Sequence, residues 1–224
     1  SNTAVTFTDD ELKDVYSKMS TVKSGTFTFR ITTYTDDSMD TSLGYDETTA
    51  KGSITGAAPT FAASQITYED INTTVTAITE NNQHIVQNQS TLQVTVTAAT
   101  GNKGATISKY EATVNGVTKS RTSAGTFDFG KIDATYDLEL SVKITDSRGN
   151  TRTGKKTIAI LEWKTPSASI EAKRVNNFEA DGTILVNARY SSVNEKNTIN
   201  ISYQWKRTSS STYSDPIALQ DGVA

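Results

Sequence analysis

Residues 138–161 read LELSVKITDSRGNTRTGKKTIAIL. Leu138, Leu140, Val142 and Ile144 alternate with Glu139, Ser141, Lys143 and Thr145, the period-two pattern of a strand with one buried face. Such a strand belongs to an antiparallel sheet with one wet face, because a parallel sheet covered on both sides reads as a continuous apolar run. Asp146 to Asn150 interrupt the pattern. Asp146 can accept backbone N–H bonds in a turn, and Gly149 or Asn150 can take the positive φ of a reversal. Ile158 and Ile160 then supply the inward face of the returning strand. The competing reading is a cation or ligand site built on Asp146, Arg148 and Asn150; the alternation before the turn and its echo at Asp36 favour the hairpin.

Outward from this hairpin the chain keeps the same grammar. Leu92, Val94, Val96 and Ala98 alternate in STLQVTVTAA, and Tyr110, Ala112 and Val114 do so before Asn115-Gly116, a two-residue hairpin turn in which both positions need positive φ. GTFDFG adds a short strand with Phe127 and Phe129. Short strands at this density over about 100 residues describe a β-sandwich. Tyr136, two residues before Leu138, matches the tyrosine-corner position of immunoglobulin-like domains, with leucine where a half-cystine would stand. The core is therefore expected to hold Tyr136, Leu138, Leu140 and Val142.

Spacing indicates a tandem array. Pro59 and Pro166 lie 107 residues apart, and Asp36 and Asp146 lie 110 apart, close to one immunoglobulin-like module. The expected layout is the C-terminal part of a sandwich with a short helix at 1–58, a complete sandwich at 59–163, and the N-terminal part of another at 164–224. In the last, Ile184, Val186 and Ala188 are expected inward, and Ile201, Tyr203 and Trp205 share a face, with Trp205 as a core residue. TDDELKDVYSKM reads as the one helix: Thr8 or Asp9 caps it, three acids suit its N-terminus, and Leu12, Val15, Tyr16 and Met19 form its stripe. The middle module is longer than its neighbour early on, so TVTAITENNQHIVQNQ is expected to form an added edge strand or a long loop. Each partial module is expected to leave a core face uncovered unless a neighbouring chain covers it.

Composition narrows the function. The 224 residues carry 22 Lys and Arg against 25 Asp and Glu, a net charge of −3, with no basic stripe, so nucleic acid is not an expected partner. No apolar run approaches the roughly 20 residues of a membrane helix, so membrane insertion is not expected. Thirty-eight threonines favour strands. There is no cysteine and a single histidine, His84, which removes thiol chemistry and leaves His84 without local triad or metal partners. His84 is expected on a loop or edge strand. Asp36, Asp37 and Asp40, and Asp9, Asp10 and Glu11, are acidic enough for calcium, but neither group has the twelve-residue loop with its central glycine; turn formation and helix capping account for both. Tyr34, Tyr45, Tyr68 and Tyr213 lie in or near loops where rings can meet sugars. TGNKGAT has a phosphate-loop composition but joins two strands with no helix after it. No catalytic, cofactor or metal residue is assigned, and no enzymatic activity is expected.

Gly104-Ala105-Thr106-Ile107 with Tyr110, and Thr145-Asp146-Ser147-Arg148-Gly149, resemble the immunoglobulin-like modules of minor tail structural proteins of siphoviruses infecting Gram-positive bacteria. FTDDELKDVYSKM with SGTFTFRITTY resembles the preceding domain of such proteins, and NTINISYQWKR the next module. The resemblance implies an extracellular virion component acting as spacer or host-surface contact. Its implied partners are other tail proteins and a cell-wall polysaccharide or surface protein. It supplies no catalytic residues. Two alternatives share the fold: a bacterial cell-surface adhesin or stalk, and an ancillary binding module of a cell-wall hydrolase.

Overall fold

The computed structural model describes residues 4–174 and 182–219, and among these it has fourteen strands and two α-helices. The chain is mostly β. Strands β9 (Leu138–Asp146) and β10 (Thr151–Leu161) flank the turn read from the sequence, and every second residue of β9, from Leu138 to Asp146, is buried. Strand β6 (Ile107–Val114) pairs antiparallel with β9, placing Ala112 opposite Val142 and Val114 opposite Leu140, so same-face apolar side chains meet across the ladder. Asn115 and Gly116, with φ of 47° and 75°, turn β6 into β7 (Val117–Arg121), the paired positive φ of a type I′ hairpin.

Strand β4 (His84–Val86) completes a five-stranded sheet of order β4-β10-β9-β6-β7. A second sheet has the order β3-β5-β8, from β3 (Ile66–Asp70), β5 (Leu92–Val96) and β8 (Gly125–Gly130). The expectation of purely antiparallel sheets fails at one edge, where β4 runs parallel to β10 with Ile85 opposite Ile160. A parallel pair needs a long crossover, and the strands between β4 and β10 supply it.

The chain divides into two compact units. The first is formed by Ser1–Tyr68, Val94–Asp128 and Glu139–Thr157. Its interior holds Ile66, Val94, Val96, Ala112, Val114, Leu140, Val142 and Ile144, all essentially inaccessible; each large aliphatic side chain so buried contributes about 1.5–3 kcal/mol of transfer free energy. The two sheets approach closely there: a Cβ added to Gly154 of β10 would stand 2.9 Å from the Phe61 ring and 3.2 Å from Ile66 of β3. The unit also contains helix α1 (Asp9–Lys18) and the hairpin of β1 (Ser24–Tyr34) and β2 (Ser42–Ser53). Thr8 and Glu11 form a capping box, the Glu11 carboxylate accepting from Thr8 N at 2.7 Å and from Thr8 Oγ1 at 2.9 Å. These bonds hold the Glu11 carboxyl below its ordinary pKa. Of the expected stripe only Met19 is buried; Leu12, Val15 and Tyr16 are half-buried. On the hairpin Ile31 and Leu43 are 68% and 70% exposed.

The second unit is formed by Glu69–Gln93, Phe129–Leu138 and Ile158–Ala224. It contains the second helix, α2 (Thr73–Thr79), where the sequence suggested an edge strand or loop and where only one helix was expected in the whole chain. Asn72 caps it by accepting from Thr74 N at 3.1 Å, and Val75 and Thr79, one turn apart, are buried. Burial of that face overrides the weak helix propensity of a threonine-rich run. The edge strand is present as well, as the three residues of β4 with His84 at its start.

Beyond it lie the antiparallel pairs β11 (Ser167–Arg174) with β12 (Gly182–Arg189), and β13 (Ile201–Tyr203) with β14 (Ile217–Leu219). Val186 and Ala188 are half-buried but Ile184 is exposed. Two expected core residues are not in a core. Trp205 is 59% exposed, since β13 ends at Tyr203 and, among the described residues, pairs with β14 alone. Tyr136 is 67% exposed, because β9 begins only at Leu138 and the alternation does not extend upstream of it. Among the described residues no helix is long and apolar enough to cross a membrane.

Candidate functional site

The turn that joins β9 to β10 is built around the Asp146 carboxylate, which is 2% exposed. Its Oδ1 accepts from Arg148 N at 3.0 Å and Asn150 N at 2.7 Å, and its Oδ2 accepts from Asn150 Nδ2 at 3.0 Å. Asp146 N donates to Asn150 O, and Gly149 N to Asp146 O. Gly149, at φ 76°, takes the left-handed position. The carboxylate is thus spent on its own turn.

In the sequence Arg148 reads as a turn residue or as one member of a ligand site. It is 6% exposed and is the one buried cation among the described residues. It faces carbonyl oxygens. Nε donates to Met19 O at 2.8 Å, Nη1 to Asn102 O at 3.0 Å, and Nη2 both to Tyr16 O at 3.2 Å and to Lys103 O. Tyr16 and Met19 present the last carbonyls of α1, which no residue of the helix can satisfy. Helix C-termini carry partial negative charge, so a cation is favoured at this end. The planar five-donor fork of arginine serves several acceptors at once, which a lysine ammonium does less well.

The loop that carries Asn102 and Lys103 is itself fastened. Asn102 Nδ2 donates to Ala58 O at 2.6 Å, Lys103 Nζ to Thr55 O at 2.6 Å, and Thr106 N to Ser147 Oγ at 3.1 Å. Ser147 Oγ in turn donates to Ser20 O. Gly104 (φ 76°) lies so close to α1 that a Cβ would stand 2.8 Å from Tyr16 O. The phosphate-loop composition of TGNKGAT therefore serves a close approach of backbone to backbone, with its carbonyls turned toward a cation. The arrangement is mechanical: it locks α1, the 101–106 loop and the β9–β10 turn together.

The other sequence candidates are not drawn to this place. Asn115-Gly116 closes the β6–β7 hairpin. Asp36 accepts from Ser38 N and Ser38 Oγ in an exposed turn, bonds that lower its pKa. Tyr45 lies under Arg30, whose guanidinium carbon is 4.2 Å from the ring centre. Tyr213 lies under Lys206 at 4.8 Å, Tyr68 is buried, and Tyr34 sits at the end of β1. Among the described residues no group of three or more His, Asp or Glu is placed to hold a metal ion.

The second unit holds a half-open cavity of about 140 Å³ that no sequence motif announces. Val75 and Ile78 of α2, Val86 of β4, Val193 and the Trp163 indole line it, with Thr74, Gln89 and Asn197 at its polar positions. Val75, Val86 and Val193 form a buried cluster on which Leu161 and Trp163 pack. The 191–197 loop is tied in place by Lys164 N to Ser191 Oγ at 2.7 Å, Asn197 N to Ser192 O at 2.8 Å, and a Lys196–Glu80 ion pair.

A family model described as "Siphovirus protein of unknown function (DUF859)" matches residues 1–218. No curated protein matches the chain, and no solved structure does.

Proposed function

We propose, from the premise that this chain belongs to that family of siphovirus proteins, that it is a non-enzymatic structural component of the virion: a minor tail or tail-fibre element that spaces distal parts and contacts the host surface. The observation that carries the mechanical half is Arg148. A buried guanidinium that spends four of its five N–H groups on backbone carbonyls fixes one element against another. The non-enzymatic reading rests on the residue inventory, one histidine and no cysteine.

We read the modules as immunoglobulin-like, divided at 1–58, 59–163 and 164–224. The strand orders support this. With β5, β6, β8, β9 and β10 as strands B, C, E, F and G, the orders β3-β5-β8 and β4-β10-β9-β6-β7 become A-B-E and A′-G-F-C-C′, close to the two sheets of that sandwich. In this reading α2 is the insert between the two halves of strand A. The partners are other tail proteins and a cell-wall polysaccharide or surface protein, and many weak contacts add through copy number.

Gold-labelled antibodies to the chain, applied to purified virions, test the proposal. Label on tails is the expected result; a protein made during infection but absent from purified particles overturns it. Binding of the labelled chain to host cells tests the adhesive half separately.

A further inference from the structure

We propose that the cavity of the second unit is a binding site for one neutral sugar ring, the terminal residue of a surface glycan. This deepens the adhesive half of the proposed function and rests on it for its biological meaning, though not for its chemistry.

The lining decides the ligand class. At about 140 Å³ the cavity is smaller than the roughly 300–1,000 Å³ that enclose drug-sized ligands, so it admits about one ring. No lining residue is charged, and the ion pairs next to lining residues in sequence, Lys196 with Glu80 and Lys164 with Glu162, satisfy themselves. A phosphate, carboxylate or ammonium entering here would lose its hydration with no opposite charge in return. A purely apolar guest fails for the converse reason. Among the described residues the Gln89 side-chain amide and the Thr74 hydroxyl have no hydrogen-bond partner, and Asn197, whose Nδ2 donates to Ser191 O at 2.9 Å, keeps its Oδ1 as an acceptor. Covering them with hydrocarbon would leave polar groups unpaired.

A pyranose meets both demands. Its C–H face suits the Trp163 ring and the valine floor, and its hydroxyls both donate and accept, as amides and a threonine require. The site has no paired carboxylates, so it can hold a glycan but has no means to cleave one.

The backbone around the cavity is unusual in the same place. Val193, Asn194 and Glu195 are three consecutive residues with φ of 50°, 57° and 64°, a left-handed run that L residues adopt at a cost, most of all a β-branched one. Glu80 and Asn88, next to lining residues Thr79 and Gln89, are also left-handed, at φ 52° and 55°. Of the eight non-glycine residues with positive φ among those described, Val193 lines this cavity and four more lie within two residues of its lining in sequence, Glu80 among them as the C-cap of α2. Strained backbone of this kind gathers at ligand clamps. Here it presses Val193 into the floor and holds Asn197 at the mouth.

The test uses the whole 224-residue chain carrying Trp205→Phe, which leaves Trp163 as the sole tryptophan. Its emission is titrated with methyl glycosides of glucose, galactose, N-acetylglucosamine, N-acetylgalactosamine and rhamnose, with glucose 6-phosphate as the charged control and cyclohexanol as the apolar one. The expected result is a saturable change with at least one neutral glycoside in the millimolar range and none with either control. Gln89→Ala and Thr74→Val should each weaken it about tenfold, the loss of one good hydrogen bond, without moving the unfolding midpoint. No saturation with any neutral glycoside overturns the proposal, and so does equal binding of either control or a signal that survives both substitutions.

The cell-binding assay keeps the two readings apart. Cell binding without a Trp163 response sinks the pocket and leaves adhesion standing. A Trp163 response without cell binding does the reverse.

Discussion

Two turns in this molecule each fasten a helix, and they do it in opposite ways. The 146–150 turn holds α1 through Arg148, a cation withdrawn from solvent and bonded to carbonyl oxygens of Tyr16, Met19, Asn102 and Lys103. The 191–197 loop holds the end of α2 through Lys196 and Glu80, whose side chains are 46% and 68% exposed, and through Val193 in a small apolar floor. The first turn is closed, with every oxygen of Asp146 used. The second leaves a cavity beside it with polar groups unspent. A saturated buried network specifies one geometry and is costly to disturb, whereas an exposed pair contributes little and can move. The contrast separates a joint from a binding place.

The contrast is sharpest at Arg148. Arg148→Ala takes the guanidinium from four carbonyls, of which Met19 O and Asn102 O keep a backbone donor in Val22 N and Ala105 N, and is expected to destabilise the chain by about 3 kcal/mol in urea unfolding. Arg148→Lys keeps the charge but not the fork and should lose about half of that. If alanine and lysine behave alike, the fork geometry is irrelevant and the comparison fails.

Next in size is Gly104→Ala, expected to cost about 2 kcal/mol, since the added Cβ meets Tyr16 O at 2.8 Å and the backbone is left-handed. Gly149→Val should cost about 1–2 kcal/mol through left-handed strain alone, because nothing stands within 4 Å of a Cβ there. Finding Gly149→Val the more damaging of the two would mean that the loop does not approach α1 as described. Thermal unfolding of both variants settles the order.

In the second unit, Lys196→Ala should leave the unfolding midpoint unchanged in high salt, as expected for an exposed pair screened by ions. A large loss would make this loop a joint of the same kind as the first.

Smallest is a pH effect on the wet face of the β6–β9 ladder. Hydrogen bonds from Lys109 and Lys143 hold the Glu111 carboxyl below its ordinary pKa. A lowered folded-state pKa gives stability that is present above the unfolded carboxylate range and lost as pH falls through the folded value. Wild type should therefore be slightly more stable than Glu111→Gln at neutral pH, and the gap should close in acid; a gap that persists in acid contradicts the assignment.

How much of this was legible follows from where the information lies. The β9–β10 hairpin could be read because alternation and turn chemistry are local: Leu138 to Ile144 declare a face, and Asp146 and Gly149 declare a reversal. The Asn115-Gly116 turn was legible for the same reason. Arg148's role was not, because its partners are backbone carbonyls, one of them 129 residues away at Met19. A carbonyl has no side-chain identity, so no complementary charge in the sequence points to it.

Helix α2 was hidden because its threonines read as strand while burial of Val75 and Thr79 chose helix. Trp205 and Tyr136 were placed inside by analogy with sandwich positions, but inclusion in a core depends on what lies opposite, and neither has a covering layer. Trp163 stands past the alternating part of β10, where no pattern marks it, and its neighbours come from α2, β4 and the 191–197 loop.

The central claim is that the 146–150 turn is a mechanical joint. Amide hydrogen exchange of wild type and Arg148→Ala measures it most directly. The account expects faster exchange in Leu12–Met19, with protection of Leu140–Ile144 in β9 unchanged, because the helix loses its anchor while the sheet keeps its core. Equal protection of Leu12–Met19 in both proteins would contradict it.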